Sequence, residues 1–208
     1  MFDTKIILFG GTFDPVHLGH TTVVGHAVES IGAEKVIFIP AKRSPLKAFF
    51  PLASDAERYE MIKLAITDKT GFEVSDYELK KASPSYTIDT VKHFKGLFGH
   101  ADIYWLVGAD TLSELPHWFG IEELIDACNL SVMYRGGFEK PDFEQFIDSW
   151  GQGRVDKLKA NIVETPMIDI SSTEIRKRLM VGGDACDMVC PAVAEYICEQ
   201  GLYGSEVK

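Results

Sequence analysis

The stretch from residue 5 to residue 20 constrains the fold of this chain more than any other. An apolar run of β-type residues, Lys5–Phe9, ends at Gly10 and Gly11, and a helix-compatible stretch then extends to about Gly32. A strand, a glycine turn and a helix N-terminus direct unpaired backbone N–H groups and the positive end of a helix dipole at one point. The sequence therefore predicts a phosphate-binding turn after the first strand.

Two histidines, His17 and His20, lie where this turn enters the helix. They are three residues apart, so on a helix that begins near residue 17 they share a face. Two imidazoles beside a phosphate-binding turn are suited to donate hydrogen bonds to a reacting phosphate. His26 lies six residues beyond His20 and off that face, so we expect no role for it.

Strand and helix patterns alternate along the rest of the chain. We expect further strands at about 35–40, 72–79, 101–108, 130–135 and 163–166, and helices at about 54–69, 84–98, 121–128, 142–150, 171–182 and 191–200. Such alternation predicts an α/β fold with a doubly wound, mainly parallel, Rossmann-like sheet. We expect one domain over residues 1–208, with a small C-terminal helical subdomain from about residue 167 packed on the sheet.

Composition limits the class of protein. A chain of 208 residues, 46% hydrophobic and 25% charged, suits one globular domain with a substantial core. No apolar run reaches the roughly 18 to 20 residues that span a bilayer, and no basic-then-apolar leader opens the chain. We therefore expect a cytoplasmic protein without a membrane partner. The four cysteines form no C-x-x-C pair, so free buried thiols are expected rather than a metal site or a disulfide framework.

The charge balance bears on the partner. The net charge is −10, from 21 basic and 31 acidic side chains. A nucleic-acid partner usually requires a basic face, so the balance argues against one. A nucleotide bound at the predicted turn would itself be anionic. A few converging groups must then make the site locally positive, and these groups should be identifiable.

Two separate motifs carry a resemblance to a known family. Residues 17–20, HLGH, are similar to the H-x-G-H core of the nucleotidyltransferase superfamily, and residues 10–17, GGTFDPVH, resemble the nicotinate mononucleotide adenylyltransferases within it. Residues 170–176, ISSTEIR, resemble the I-S-S-T-x-x-R element of the same superfamily. The glycine spacing differs from the Rossmann dinucleotide pattern, and no Walker-A ending follows.

The resemblance implies an enzyme of NAD biosynthesis. Such an enzyme transfers the adenylyl group of ATP to nicotinate mononucleotide, giving nicotinate adenine dinucleotide (deamido-NAD) and pyrophosphate. The acceptor phosphate would attack the α-phosphorus in line, without a general base or a covalent intermediate, so that catalysis consists of positioning and charge stabilisation. Mg²⁺ would be held mainly by the ATP phosphates, with no metal ligands from the protein.

The resemblance also implies roles for particular residues. The expected catalytic residues are His17, His20, Lys47 and Arg176. The residues expected to bind ATP are Gly10, Gly11, Thr12, Phe13, Gly108, Asp110, Arg135, Ser172 and Thr173. The family pattern around Lys47 is only partly kept in this sequence, so Lys42 or Arg43 could share its role.

Four residues are expected to bind the acceptor. Ser85, Tyr86 and Thr87 lie at a predicted helix N-terminus, where N–H groups and a hydroxyl favour a carboxylate. Trp118, in a Pro-His-Trp loop, can stack on a pyridine ring. Both features resemble the nicotinate pocket of the family. An acid fits them better than a neutral amide, which gains less from a helix dipole.

Other functions stay open at this point. The chain could be an adenylyltransferase for another phosphate acceptor, either nicotinamide mononucleotide or phosphopantetheine. It could be a non-catalytic nucleotide sensor on the same fold. An RNA-binding module is opposed by the acidic balance. The sequence also leaves open the oligomeric state, monomer or homo-oligomer, and the extent of loop closure.

Overall fold

Six parallel strands form the central sheet in the computed structural model, which describes residues 4–43, 50–82 and 84–204. The strands are β1 Lys5–Gly11, β2 Lys35–Pro40, β3 Phe72–Val74, β4 Asp102–Gly108, β5 Asn129–Arg135 and β6 Ile162–Thr165. Their order is β3-β2-β1-β4-β5-β6, and every neighbouring pair is parallel. The predicted doubly wound parallel sheet is confirmed.

Strand order reverses between β1 and β4, the two central strands. In sheets of this kind a ligand binds beyond the carboxyl ends of the strands at the point of reversal. Here Gly11 ends β1 and Gly108 ends β4, so the glycine turn identified from the sequence borders that point.

Eight α-helices connect and cover the strands in the described ranges. They are α1 Leu18–Ile31, α2 Asp55–Ile66, α3 Thr87–Phe98, α4 Ile121–Ala127, α5 Ile147–Trp150, α6 Gln152–Ala160, α7 Ser172–Met180 and α8 Pro191–Glu199. The capping box predicted at Ser54 is present, because Ser54 and Glu57 each accept the other's backbone N–H. No helix among these residues combines the length and the apolar character needed to cross a membrane.

Two predicted elements differ from the structure. The strand predicted over 72–79 ends at Val74, because the chain turns away from β2 after Ser75 donates its N–H to Phe38. The helix predicted over 142–150 is a 3₁₀ turn, Glu144–Phe146, followed by the short α5. Helix α6 was not predicted, since few of its residues are apolar. In the structure Gly151, with a φ of 81°, separates it from α5.

The sheet divides the core into two layers. Along β1, Ile7 and Phe9 point to a first face covered by α1, α2, α7 and α8, whereas Ile6 and Leu8 point to a second face covered by α3, α4 and α6. Ile175, Val193 and Tyr203 belong to the same buried cluster as Phe9. The C-terminal helices therefore pack directly on the first face of the sheet.

Candidate active site

The turn after β1 is closely packed. A Cβ atom at Gly10 would lie 2.4 Å from the Trp105 ring, and one at Gly11 would lie 2.9 Å from the Phe13 ring. Phe13 itself has a φ of 50° and is 2% exposed. These contacts require glycine at positions 10 and 11. Because the Phe13 side chain is buried, the backbone of the turn is what faces the sheet edge.

The two histidines form the cap of α1. His17 is the N-cap residue, and its Nδ1 accepts the backbone N–H of His20 at 3.3 Å. His20 Nδ1 accepts the backbone N–H of His17 at 3.2 Å. The two rings stack with their centroids 3.6 Å apart. Because both Nδ1 atoms accept hydrogen bonds, each neutral ring carries its proton on Nε2.

The charge state of His17 follows from its burial. The residue is 8% exposed, and this burial lowers its pKa to about 4. At neutral pH the ring is therefore uncharged. His17 can donate a hydrogen bond to a phosphate from Nε2, but it adds no positive charge to the site.

Helix α7 is docked on the glycine turn by its first residues. The Ser172 hydroxyl donates to the Pro15 carbonyl at 2.9 Å. The Arg176 guanidinium donates to the Asp14 carbonyl at 2.7 Å, and its other terminal nitrogen lies 3.4 Å from the Thr173 hydroxyl. The structure thus brings together the two motifs that the sequence separates by more than 150 residues, and Arg176 supplies a cation beside the histidine cap.

Asp14 holds three parts of the chain at this turn. Its carboxylate is 4% exposed and accepts the backbone N–H groups of Leu52 and Ala53 at 2.9 and 3.0 Å. It also accepts the Tyr203 hydroxyl at 2.8 Å. Burial and the adjacent carboxylate raise the pKa of Tyr203, so this phenol stays protonated and donates. Sequence analysis placed Asp14 in the motif without this role, and nothing in the sequence around Tyr203 indicated the contact.

A buried arginine on α2 fixes the start of the turn. Arg58 has no solvent exposure, and its guanidinium donates to the Thr12 carbonyl and to the Asp55 carboxylate, both at 2.7 Å. Sequence analysis did not single out this residue. The sequence feature that could have indicated its burial is its spacing. Arg58 lies on the same face of α2 as Met61 and Ile62, where a core residue is expected.

A cavity of about 670 Å³ lies between the turn after β1, the end of β4 and the N-terminus of α3. Its walls include nine of the predicted site residues, namely Gly10, Gly11, Thr12, Ser85, Tyr86, Thr87, Gly108, Asp110 and Trp118. Ser85, Tyr86 and Thr87 lead into the N-terminus of α3. The indole nitrogen of Trp118 is buried without a hydrogen-bond partner among the described residues. This cavity offers an aromatic wall and a helix N-terminus to one ligand.

The cavity also has walls that the sequence did not predict. Glu78, Glu114, His117 and Phe119 contribute to them. The Phe119 ring contacts the Tyr86 ring with centroids 4.7 Å apart. Glu78 is buried, and no local pattern in the sequence marks it, because it reaches the cavity from the segment after the edge strand β3.

The remaining predicted residues lie elsewhere. Arg135 is exposed at the end of β5, outside the walls of the cavity. Lys42 donates to the Leu79 carbonyl at 3.0 Å, and the Arg43 guanidinium lies 4.7 Å from the Phe50 ring centroid. Lys47 falls outside the described residues.

Comparisons with known proteins agree with this geometry. A sequence model of the cytidylyltransferase-like family matches residues 8–178. A probable nicotinate-nucleotide adenylyltransferase of Caldicellulosiruptor bescii is 37% identical over 202 residues, which are 96% of this chain and 98% of that protein. A protein of Neisseria gonorrhoeae with the same description is 37% identical over 199 residues, again 96% and 98% of the two chains.

Solved structures share the fold. The nicotinic acid mononucleotide adenylyltransferase of Plasmodium falciparum, complexed with NaAD, superposes with a TM-score of 0.75 over 99% of this chain and 100% of that chain, at 20% identity. The same enzyme complexed with APC gives a TM-score of 0.73 at the same identity. At this identity the likeness establishes the architecture.

Proposed function

This chain belongs to the cytidylyltransferase-like family, among the nicotinate-nucleotide adenylyltransferases, and we propose that it transfers the adenylyl group of ATP to nicotinate mononucleotide. The products are nicotinate adenine dinucleotide and pyrophosphate. One observation carries the proposal. The turn at residues 10–12 forms a wall of the cavity that ends at the N-terminus of α3, and the same turn leads directly into the histidine cap and its Arg176 neighbour.

We assign the triphosphate to the first-face side of the turn. The Nε2–H groups of His17 and His20 donate to the α-phosphate, where negative charge grows during transfer. Arg176 and the N-terminus of α7, with Ser172 and Thr173, bind the β- and γ-phosphates that leave as pyrophosphate. His17 is a neutral donor, and Arg176 supplies positive charge that this acidic protein needs at the site.

We assign the pyridine ring of the acceptor to the 670 Å³ cavity. Its carboxylate binds at the N-terminus of α3, where Ser85, Tyr86 and Thr87 offer N–H groups and hydroxyls. Trp118, in the cavity wall, packs against the ring. We assign Gly108 and Asp110, which line the cavity at and just after the end of β4, to a ribose hydroxyl of ATP.

The reaction needs little from the protein beyond placement. The acceptor phosphate is ionised at neutral pH and attacks the α-phosphorus directly, forming one P–O bond. The bond from that phosphorus to the bridging oxygen breaks, and its electron pair leaves with pyrophosphate. No proton must be removed from the nucleophile, so no side chain acts as a general base. ATP binds as its Mg²⁺ complex, with the metal held mainly by phosphate oxygens.

The test is acceptor competition with pyrophosphate release as the measurement. The purified protein receives ATP and Mg²⁺ with nicotinate mononucleotide, nicotinamide mononucleotide or phosphopantetheine. We expect the highest kcat/KM with nicotinate mononucleotide. Faster turnover of another acceptor would assign the chain to that acceptor instead. ATP binding with no pyrophosphate from any of the three would make the protein a nucleotide sensor.

A further inference from the structure

Glu78 is a buried carboxyl in the wall of the acceptor cavity that the reaction does not use. It is 4% exposed, and its Oε1 accepts the Thr90 hydroxyl at 2.6 Å. Thr90 lies on α3, has no solvent exposure, and donates its backbone N–H to the Tyr86 carbonyl at 3.3 Å. The Glu78 carboxyl is therefore held against the first turn of α3.

This turn is where the acceptor carboxylate is expected to bind. Glu78 and the residues of that turn, Ser85 to Thr87, line the same cavity. Two carboxylates beside one helix N-terminus repel each other, and burial between low-dielectric walls strengthens the repulsion. A protonated Glu78 does not repel the acceptor acid. A neutral amide acceptor carries no charge for ionised Glu78 to repel.

We propose that Glu78, held by Thr90 in the cavity wall, determines how strongly the acceptor site prefers a pyridine acid to the corresponding amide. The inference rests on the proposed function, since it assumes that the pyridine ring occupies this cavity. Protonated Glu78 permits the preference for the acid, and ionised Glu78 weakens it. Selectivity between the two mononucleotides therefore falls as pH rises.

The surroundings of Glu78 favour its protonated form. Burial raises the pKa of Glu78, while the hydroxyls of Thr90 and Ser85 and the charge of Lys81 act in the opposite sense. Other charged or titratable groups also surround the cavity. Lys42 donates from Nζ to the Leu79 carbonyl, and Asp89 pairs with Lys81. The cavity walls add Asp110, Glu114 and His117. His117 is the histidine among these groups, so a variant at this position is included as a control.

The experiment measures the Kd of nicotinate mononucleotide and of nicotinamide mononucleotide by calorimetry between pH 5.5 and 8.5. The ratio of the two constants cancels the titration of the shared phosphate and of the histidine cap. In the unmodified protein we expect the preference for the acid to fall on the order of tenfold as pH rises. Glu78→Gln can still accept a hydrogen bond from the Thr90 hydroxyl. In this variant we expect the Kd ratio to be independent of pH and equal to the low-pH ratio of the unmodified protein.

Two further variants serve as controls. His117→Gln should keep the pH dependence of the unmodified protein, which separates Glu78 from the neighbouring histidine. Glu73 is exposed on β3 and forms an ion pair with Lys35. Glu73→Gln should also leave the pH dependence of the Kd ratio unchanged. A pH-independent ratio in the unmodified protein, or an unchanged slope in Glu78→Gln, overturns the inference.

A measurement on the unmodified protein covers the case in which Glu78→Gln does not fold. Binding enthalpies in buffers of different ionisation enthalpy give the protons taken up with each mononucleotide. Greater uptake with the acid than with the amide near neutral pH supports the inference, and equal uptake overturns it. If neither mononucleotide binds, the proposed function itself fails. Binding of both without these differences defeats only the assignment to Glu78.

Discussion

Arg176 donates a 2.7 Å hydrogen bond to the backbone carbonyl of Asp14, 162 positions earlier in the chain. The bond fixes the N-terminus of α7 against the glycine turn, and it holds a cation beside the histidine cap in a protein with a net charge of −10. The same guanidinium nitrogen lies 3.9 Å from the buried Asp14 carboxylate. Its remaining donors are oriented by these contacts before any phosphate arrives.

Replacement of Arg176 by lysine should lower kcat by about a hundredfold, because an ammonium cannot hold the Asp14 carbonyl and bind the leaving pyrophosphate with a planar fork. The KM for nicotinate mononucleotide should change little. Steady-state kinetics with each substrate varied in turn measures both. Arg178→Lys is the matched control, since Arg178 lies on the same helix and pairs with Asp187. Equal losses in the two variants would contradict the role of Arg176.

Replacement of His20 by alanine should reduce turnover by more than about a hundredfold while the protein stays folded. The variant loses the Nε2–H donor and also one cap bond, which costs on the order of 1 kcal/mol of stability. Pyrophosphate release and a thermal melt separate the two effects. His26→Ala, at an exposed position of the same helix, should keep full activity. An undiminished rate in His20→Ala would remove this ring from the mechanism.

Trp118→Ala should raise the KM for nicotinate mononucleotide more than the KM for ATP, because the indole is assigned to the acceptor ring. Initial rates over both substrate concentrations give the two constants. Leu97→Ala removes an exposed apolar side chain from the far end of α3 and should alter neither constant. A proportional rise of both KM values in Trp118→Ala would indicate that the indole supports the fold rather than binding the acceptor.

The stability of the protein should fall with acid because of His17. Its pKa drops from 6.5 to about 4 on folding, so the unfolded chain binds the proton more readily than the folded one. The stabilisation by the neutral ring is complete above pH 6.5 and is lost as pH falls toward 4. The loss is about 3 kcal/mol. Urea unfolding at pH 7 and at pH 4.5 measures it.

His17→Asn is the informative variant for this effect, because asparagine is a good N-cap without a titrating ring. Its stability should depend less on pH over this interval than that of the unmodified protein. His26→Asn, with its side chain exposed on the same helix, should retain the full dependence. Parallel pH curves for His17→Asn and the unmodified protein would show that another group is responsible.

Local patterns in the sequence were sufficient for much of the site. The glycine turn, the His17–His20 spacing and the Ser85–Thr87 helix start are each encoded within a few residues, and the alternation of strands and helices implied a sheet edge that collects them. The capping box at Ser54 was likewise predictable from the sequence, because Ser54 and Glu57 lie within one helical turn.

Other contacts depend on chain segments that meet only in the folded protein. The Tyr203 hydroxyl reaches Asp14 across 189 positions, and the buried Arg58 guanidinium donates a hydrogen bond to the Thr12 carbonyl. No periodicity encodes either contact. Glu78 is similar, since its burial follows from the segment after β3 folding against α3. Lys47 stays a prediction, outside the described residues.

The alternation of side chains along β1 has a consequence for how such an enzyme can change over evolution. The helices to which we assign the triphosphate, α1 and α7, are anchored in one core layer, and α3, to which we assign the acceptor carboxylate, is anchored in the other. The side chains of the two layers point to opposite faces of the sheet, so a substitution in one layer acts first on the packing of that layer. A descendant can therefore acquire a new acceptor by remodelling one side of the sheet while it inherits the adenylyl-transfer machinery unaltered.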